Sequence, residues 1–442
     1  MNNNRKKRIN QIDEDTLIVG IDVAKNKHVA RTQDFRGIEF GNATYFVNRE
    51  HGFEKIKEWI IKIAERKSKS DIIIGLEPTG HYWLPLFRYF TASGFEVVTV
   101  NPNHVEKSKE LDDNNPTKCD KKDALVIAQL VKDGRYSTPN LPEADYAELR
   151  VAMNHRKRLI KELNGIQNQI TRWLDIYFPE FSDVFKNWEG KAALSTLSHI
   201  PLPEQVSQKE INEIVNFWKQ DGIKRGVGKK KAKKLKKYSE RSVGIKTGKE
   251  MAKLEIENLL ERYYQLKGQI ENLESKIKSI LKEIPGAESM LSIPGVGEMT
   301  VAGFLAECGN LDDYDHPKQI IKLAGLNLME HSSGKHKGET KITKRGRPQL
   351  RSLLYRVSLP LVRHNDEFSQ IHEYYKNRPK NPLESKQSLI AICCKLIKIL
   401  YTLGTREIEY DGDKMLNDIE RPKEYRQAAW LKNKKTNKVC DQ

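Results

Sequence analysis

Two short apolar segments, each ending in an acidic residue, constrain the fold of this chain more than any other feature. LIVGID ends at Asp22, and DIIIGLE ends at Glu77. Each segment has the length of a buried strand, and turn-forming residues follow each acid. An acid at the end of an apolar strand usually faces a site at the edge of a sheet. The two segments therefore predict a sheet with acidic side chains along one edge.

The neighbouring segments indicate the class of this sheet domain. Strands are predicted at 28–35, 39–47 and 95–102, and helices at 51–66 and 81–92. Strands that alternate with helices are typical of an α/β domain. Three early strands followed by this alternation is the order of the ribonuclease-H-like fold. We therefore expect an α/β, ribonuclease-H-like domain over residues 1–140.

The remainder of the chain is predicted to be mainly helical. Apolar residues recur in steps of four and three from Leu259 to Ile284, which is a heptad pattern. This pattern predicts a coiled-coil arm that joins subunits, and an intramolecular hairpin with the helix at 143–177 is the alternative. We assign residues 141–284 to this linker region with a basic insertion, 285–405 to a helical domain, and 406–442 to a basic tail.

The charge balance favours a polyanionic partner. Lys and Arg number 77 against 60 Asp and Glu, so the formal net charge is +17. Nine of the fourteen residues from Lys224 to Lys237 are Lys or Arg. We expect a solvated, mobile segment beside a phosphate backbone there, and a solubilising linker is the alternative. Nucleic acid is therefore the expected partner.

Other classes of protein fit the composition poorly. The five cysteines form no CxxC pair and no zinc-type spacing with histidine, and their odd number argues against a disulfide framework. These features favour a reducing, cytoplasmic setting. The basic N-terminus has no apolar run behind it, and we expect no membrane-spanning segment.

A second pair of acids lies in KCDKKDALVIAQLV, at the predicted start of a helix. Asp120 and Asp123 are three residues apart, which places them on one face of that helix. With Asp22 and Glu77 they form a set of carboxylates suited to Mg²⁺. Two such ions about 3.5–4 Å apart can promote phosphoryl transfer. A helix cap at Asp120 and a simple turn at Asp22 are the alternatives.

The C-terminal part contains two further candidate sites. In LSIPGVG, Gly295 and Gly297 precede a predicted helix, as in a helix-hairpin-helix motif that binds phosphate through backbone amides. A plain turn is the alternative. Farther along, Ser332 and Ser333 are candidate nucleophiles in a polar loop, although such a serine is more often only a loop residue. Cations around them are predicted to bind nucleic acid, namely Lys335, Lys341, Lys344, Arg345 and Arg351.

Several segments together resemble the DEDD transposases of the insertion-sequence-110 family. They are GIDVAKNKH, GLEPTGHYW, NPNHVEKSKE with KCDKKDA, and IPGVGEMTVAGFLAECG with AGL, SSG and ITKRGRPQLR. The resemblance covers roughly residues 17–178 and 285–375. It implies a RuvC-like domain whose catalytic, Mg²⁺-binding acids are Asp22, Glu77, Asp120 and Asp123.

The resemblance also implies a mechanism and partners. A serine of the C-terminal domain would attack donor and target DNA and form a covalent phosphoserine link. Dimers and tetramers would share each site between subunits, and a structured RNA would guide the enzyme. Ser333 directly precedes the glycine and has the better spacing from Gly325, whereas Ser332 fits better when counted back from ITKRG.

Two features and several functions stay open beside this resemblance. The segment at about 178–250 and the tail after about 405 are longer than expected for the family. A RuvC-like nuclease or Holliday junction resolvase would use the same acids with water as the nucleophile. A nucleic-acid-binding protein without activity would not need all the acids. An actin-like ATPase would need glycine-rich phosphate loops that the sequence lacks.

Overall fold

A computed structural model describes residues 3–78, 80–112, 120–139, 141–329, 332–333, 336–337 and 341–417. The chain forms two compact units, Met1–Asn140 and Leu141–Gln442. A mixed α/β sheet makes up the first unit, and helices dominate the second. The predicted α/β class of the N-terminal part and the helical class of the rest are therefore confirmed.

The first unit contains one sheet and the helices that pack on it. Its strands are β1 (Thr16–Asp22), β2 (Lys27–Gln33), β3 (Thr44–Val47), β4 (Asp71–Leu76), β5 (Glu96–Val100) and β6 (Tyr136–Ser137). Its helices are α1 (Asn3–Ile9), α2 (Glu50–Arg66), α3 (Trp83–Ala92), α4 (Pro102–Asp112) and α5 (Asp120–Lys132). The strand predicted at 39–47 begins only at Thr44, because Gly41 has a φ of +77° that interrupts extended backbone.

The strand order in this sheet is β3-β2-β1-β4-β5-β6. The strand β1 pairs antiparallel with β2, which pairs antiparallel with β3. On its other side β1 is parallel to β4, and β4 is parallel to β5. The short β6 closes the edge antiparallel to β5. The carboxyl ends of β1, β4 and β5 consequently lie at the same edge of the sheet.

Two glycines allow α5 to lie unusually close to this sheet. Gly20 and Gly75 are paired in the register of β1 and β4. A Cβ at Gly20 would overlap the carbonyl oxygen of Ala124 and approach the amide nitrogen of Ala128 to 2.6 Å. A Cβ at Gly75 would come within 2.5 Å of a methyl group of Val131. The helix backbone therefore contacts β1 directly, without an intervening side chain.

The second unit is built from helices and short β-hairpins. Its helices are α6 (Ala144–Tyr177), α7 (Phe181–Val184), α8 (Lys191–His199), α9 (Pro203–Gln208), α10 (Ile211–Gln220), α11 (Lys229–Ser239), α12 (Lys249–Glu283), α13 (Ala287–Leu291), α14 (Glu298–Cys308), α15 (Pro317–Leu323), α16 (Pro348–His364), α17 (Asp366–Asn377), α18 (Ser385–Arg406) and α19 (Gly412–Asn417), with a 3₁₀ turn at Leu311–Asp313. Its strands are β7 (Leu328–Met329), β8 (Ser332–Ser333), β9 (His336–Lys337) and β10 (Lys341–Ile342).

The helices α6 and α12 form a long antiparallel hairpin. The indole N–H of Trp173 donates to the carbonyl oxygen of Ala252 at 2.8 Å near one end. Arg156 pairs with Glu274 at 2.5 Å farther along. Each helix spans about 50 Å at the usual rise per residue. The hairpin consequently connects two separate hydrophobic cores within this unit.

Most heptad residues of this segment are buried inside the chain, and Ile270, Leu273 and Ile280 are partly buried. Leu259 and Tyr263 belong to the core formed with α6 and the helices α7–α11. Ile277 and Ile284 belong to the core formed with the helices α13–α19. Of the two alternatives for this helix, the structure contains the intramolecular hairpin, and an arm that joins subunits stays a prediction.

The segment between α6 and α12 differs from the mobile segment that its charge predicts. The Lys-rich stretch forms α11, in which Ala232 and Leu235 are fully buried. The side chain of Lys234 donates to the carbonyl oxygen of Asp183 at 2.6 Å. Only a few apolar positions are needed to dock a short helix, so the many lysines conceal its amphipathic pattern.

One helix among the described residues, α18, is long and apolar enough to cross a membrane by its length and composition alone, whereas the sequence predicts no such stretch. Its apolar side chains, such as Ile392, Leu396 and Leu400, are fully buried in the core with α16 and α17. In this structure it is a core helix.

Substituting the paired glycines should destabilise the first unit to different extents. We expect Gly20→Ala to lower the free energy of unfolding by about 1–3 kcal/mol, because its Cβ meets backbone atoms. Gly75→Ala should cost less, because the methyl group of Val131 can move. Gly268→Ala is the control, since space is open there in α12 and alanine favours a helix. Calorimetric unfolding measures all three, and equal stability of the Gly20→Ala and Gly268→Ala proteins would contradict the close helix–sheet contact.

Candidate active site

Two of the predicted acids lie side by side at one edge of the sheet. Ile21 pairs with Leu76 in the parallel register of β1 and β4. Asp22 and Glu77 are the next residues along each strand, and both side chains are half-buried. Because neighbouring strands are about 4.8 Å apart, the two carboxylates start from adjacent positions.

The helix α5 brings a third acid close to this edge. Asp123 directly precedes Ala124, whose carbonyl oxygen lies against Gly20, two residues before Asp22. Asp123 is buried, with 7% of the residue's surface exposed. Asp120 begins the same helix, one turn earlier, and its side chain lies outside the described part. The helix–sheet contact thus determines where Asp123 lies.

Asp123 has a cationic partner that the sequence did not reveal. The ammonium group of Lys109, on α4, lies 2.6 Å from Oδ2 of Asp123. The other carboxylate oxygen, Oδ1, is buried and has no hydrogen-bond partner among the described residues. A buried carboxylate oxygen without a donor is costly unless a cation or water binds it. This oxygen is therefore available to a ligand.

The donor set is compatible with a hard cation, although the described side chains do not form a complete site. Carboxylate oxygens are the ligands that Mg²⁺ prefers. No group of three His, Cys, Asp or Glu side chains in metal-binding arrangement occurs among the side chains that the structure describes. The side chain of Asp120 is not among these. Asp22, Glu77 and Asp123 are described, and they do not come together as such a group, although all three lie in the first unit.

A buried histidine supports the turn after Asp22. His28 is fully buried on β2 and its ring lies 5.0 Å from that of Phe46. Burial lowers the pKa of His28, which favours the neutral imidazole. Its Nδ1 accepts a hydrogen bond from the backbone N–H of Ala24 at 3.2 Å. Neutral His28 therefore stabilises the backbone that carries Asp22 out of the strand.

The two candidate serines lie on a short β-hairpin in the second unit. The strands β7 and β10 pair at its base, and β8 pairs with β9 beyond them. In this register Ser333 is opposite His336, and Ser332 is opposite Lys337. The backbone pairing therefore gives the two serines different cross-strand neighbours.

The cations predicted to bind nucleic acid around the serines differ in exposure and in hydrogen bonding. Lys335 lies outside the described residues, and Lys341, Lys344 and Arg345 are exposed. The guanidinium of Arg351 donates to the carbonyl oxygens of Ala324 at 2.9 Å and Lys344 at 3.3 Å. Arg351 consequently holds the loop at Gly325 and Lys344, and the exposed cations border it.

The glycines of LSIPGVG form the turn before α14. Gly295 has a φ of +93°, which favours glycine, and Gly297 is the N-cap residue of α14. Space is open next to Gly297. Glu298 occupies the first turn and pairs with Lys278 at 2.7 Å. A carboxylate at this position opposes phosphate binding, so the geometry fits a turn at least as well as a phosphate site.

Comparison with known proteins identifies the family. A DEDD transposase model of the IS110 type matches residues 19–179, and a second model, described as a transposase of the IS116/IS110/IS902 family, matches residues 287–376. Together they cover more than half of the chain. The chain belongs to the IS110 family of transposases. It is accordingly an enzyme of DNA strand cleavage and transfer.

Several relatives resemble the transposase over most of its length. A 44.8 kDa protein of insertion element IS116 from Streptomyces clavuligerus is 23% identical over 88% of this chain and 94% of the relative. The transposase of insertion sequence element IS1111A from Coxiella burnetii is 20% identical over 90% and 92%. A pilin gene-inverting protein from Moraxella bovis is 23% identical over 89% and 97%.

Lys109 and His28 are the residues of this site that sequence reasoning missed. Both lie in segments that carry the family resemblance, NPNHVEKSKE and GIDVAKNKH. A lysine on an exposed helix has no local pattern that distinguishes a partner of a buried acid. His28 follows Asp22 by six residues, and the apolar Val29 and Ala30 directly after it were the available signal of burial.

Removing Lys109 from the transposase should leave the Asp123 carboxylate without its cation. In chelator-containing buffer, we expect Lys109→Met to lower the free energy of unfolding by about 1.5–3 kcal/mol. Lys107→Met is the matched control, because Lys107 is exposed on the same helix. Adding Asp123→Asn to Lys109→Met should restore part of the loss, since a neutral amide needs no cation. Denaturant unfolding measures this, and equal effects of Lys107→Met and Lys109→Met would argue against the pair.

Proposed function

We propose that the transposase recombines DNA through a RuvC-like DEDD domain and a covalent serine–DNA intermediate. The observation that carries this proposal is the adjacency of Asp22 and Glu77 at neighbouring strand ends. Asp123 lies beside β1, and its carboxylate oxygen Oδ1 is buried without a hydrogen-bond partner among the described residues. The strand order, with antiparallel β1–β3 and parallel β1, β4 and β5, supports a ribonuclease-H-like fold.

Asp22, Glu77, Asp120 and Asp123 are proposed to hold Mg²⁺. Bound Mg²⁺ would activate the attacking oxygen and stabilise charge on the leaving oxygen. The ammonium group of Lys109 pairs with Oδ2 of Asp123 and orients this carboxylate. The contact between α5 and β1 fixes the position of Asp123 relative to Asp22. We call the end of the sheet that carries Asp22, Glu77 and Asp123 the acidic edge, and these contacts orient Asp123 there before a phosphate binds.

The proposed nucleophile is the Oγ of Ser333. Its attack would form a phosphorus–oxygen bond to the serine and break one bond of the DNA phosphodiester, which releases a DNA hydroxyl. The serine proton goes to a base, and the leaving oxygen gains a proton. A second DNA hydroxyl can then attack the phosphoserine and free the enzyme. The bond energy is kept throughout, so strands can be rejoined without a nucleotide cofactor.

Ser333 is preferred to Ser332 because it directly precedes Gly334 and has the better spacing from Gly325. Lys341, Lys344 and Arg345 would balance the charge of the phosphate during attack. Lys335 and Arg351 are proposed to contribute to the same surface, with Gly295 and Gly297 as a weaker candidate contact.

The proposed partners are donor DNA, target DNA, a structured guide RNA and further copies of the chain. The net charge of +17 supports polyanionic partners. The family resemblance supports RNA guidance and assembly into dimers or tetramers that share the site. Among the described residues, the cysteines Cys308, Cys393 and Cys394 are free, as expected for the proposed cytoplasmic setting.

Neutralising the acids tests the metal-binding half of the proposal. Asp22→Asn, Glu77→Gln, Asp120→Asn and Asp123→Asn should each reduce DNA cleavage at least about a hundredfold, because a ligand of a two-metal site is removed. Asp71→Asn is the control, since Asp71 is exposed at the opposite end of β4. Cleavage of labelled DNA across a Mg²⁺ series is measured, together with thermal stabilisation by Mg²⁺. Near-normal activity of the Asp22 or Glu77 variant would exclude this site.

Replacing the serines tests the covalent half. Ser333→Ala should lose both cleavage and the covalent adduct while it still binds nucleic acid, and Ser332→Ala should keep at least part of its activity. Mass spectrometry of protein cross-linked to its own DNA substrate locates the adduct. A nucleotide on Ser332 would reverse the choice between neighbours. Cleavage to free ends by the doubly substituted protein would instead select the RuvC-like nuclease or junction resolvase.

A further inference from the structure

A basic cavity lies on the helical segment between α6 and α12. Its volume is about 590 Å³, within the range of about 300–1,000 Å³ that is usual for ligand sites. The lining includes one aromatic ring, that of Phe185, and a set of cationic side chains. These cations are Lys186, Lys191, Lys224, Arg225 and Lys231. The cavity belongs to the second unit, and its residues lie outside both segments matched by the family models.

These cations lack acidic partners in the described part of the chain. None of them has a carboxylate within the 4.0 Å that defines an ion pair. Glu189 directly precedes Gly190 of the cavity lining. Its Oε1 accepts hydrogen bonds from Tyr263 at 3.0 Å and Gln167 at 2.6 Å. Like charges that converge without counterions repel one another. The cavity is therefore suited to an anionic ligand.

Lys231 is the cation that contacts the aromatic ring at this surface. Its ammonium group lies 4.6 Å from the centre of the Phe185 ring. Burial lowers the pKa of Lys231, and the nearby Lys234 lowers it further. An anion beside Lys231 would offset both effects. The ring contact also restricts the side chain, which reduces the entropy lost when a ligand binds.

The backbone of the cavity wall is accessible as well. Gly190 is the N-cap of α8, and no side chain caps this helix. The first amides of α8 thus add positive potential to that of the cations. Gly222 and Gly226 have φ values of +74° and +73°, and space is open beside both. Glycine at these positions permits a ligand to approach the main chain closely.

We propose that this cavity binds the phosphodiester backbone of a nucleic acid and is a docking site separate from the acids and the serines. Its cations are four lysine ammonium groups and one arginine guanidinium, and such groups bind phosphates without distinguishing bases. The Phe185 ring is covered by Lys231, so it offers no platform for a stacked base. This inference goes beyond the proposed chemistry. It rests on the proposed function at one point, which is that the polyanionic partner is a nucleic acid.

A charge-matched pair of variants tests this inference in the full-length protein. The cavity variant carries Lys186→Gln, Arg225→Gln and Lys231→Gln. The control carries Lys157→Gln, Lys161→Gln and Lys276→Gln, which are exposed on α6 and α12 and do not line the cavity. Lys186→Arg with Lys231→Arg keeps the cavity charge. Binding of a labelled RNA hairpin and of a DNA duplex with the same stem sequence is measured over a salt series, after each fold is checked by circular dichroism.

We expect the cavity variant to bind more weakly and to show a salt dependence shallower by about one unit per lost phosphate contact. The control and the arginine variant should stay close to the unmodified protein. A loss confined to the RNA probe, or to the DNA probe, identifies the source of the backbone. Equal losses in the cavity and control variants, or no loss in the cavity variant, would overturn the inference. Because binding is measured, failure of the serine mechanism would not alter these outcomes.

Discussion

The direct contact between the backbone of α5 and strand β1 is the constraint on which the acidic edge depends. Gly20 and Gly75 leave no side chain between helix and sheet, so the helix is seated on main-chain atoms. Close-packed interiors yield little to displacement. The backbone position of Asp123 is consequently set by rigid elements, and only its two side-chain torsions are left to adjust. Lys109 then restricts these from the neighbouring helix.

The part of the site that could be predicted is the part written into local sequence. Asp22 and Glu77 end apolar strands, and this pattern is visible within eight residues. That the strands are parallel neighbours follows from an α/β order. Lys109 could not be predicted, because its partner is fourteen residues away and separated by a segment without periodicity. The cross-strand neighbours of the serines depend on hairpin register, which polar residues specify weakly.

Long-range packing explains the differences in the second unit. The heptad pattern of α12 correctly indicates a continuous apolar seam, but a seam does not specify whether its partner is another chain or an earlier helix. Residues of α6 occupy it here, about a hundred positions before it in the sequence. In α11, two buried apolar residues and Ser239 suffice for docking, whereas the composition is dominated by lysine. Charge therefore predicts the outer face of this helix and says little about its inner face.

The hairpin also brings the two ends of the intervening segment together. The N–H of Ile245 donates to the carbonyl oxygen of Ile176 at 3.0 Å, and Gly244 packs against the backbone of Tyr177. A segment that leaves and re-enters at adjacent points resembles a cassette, which can be lengthened, shortened or exchanged without a change in the framework that carries it. The segment at 178–244, which carries the basic cavity, can therefore change in length or sequence while α6 and α12 keep their pairing.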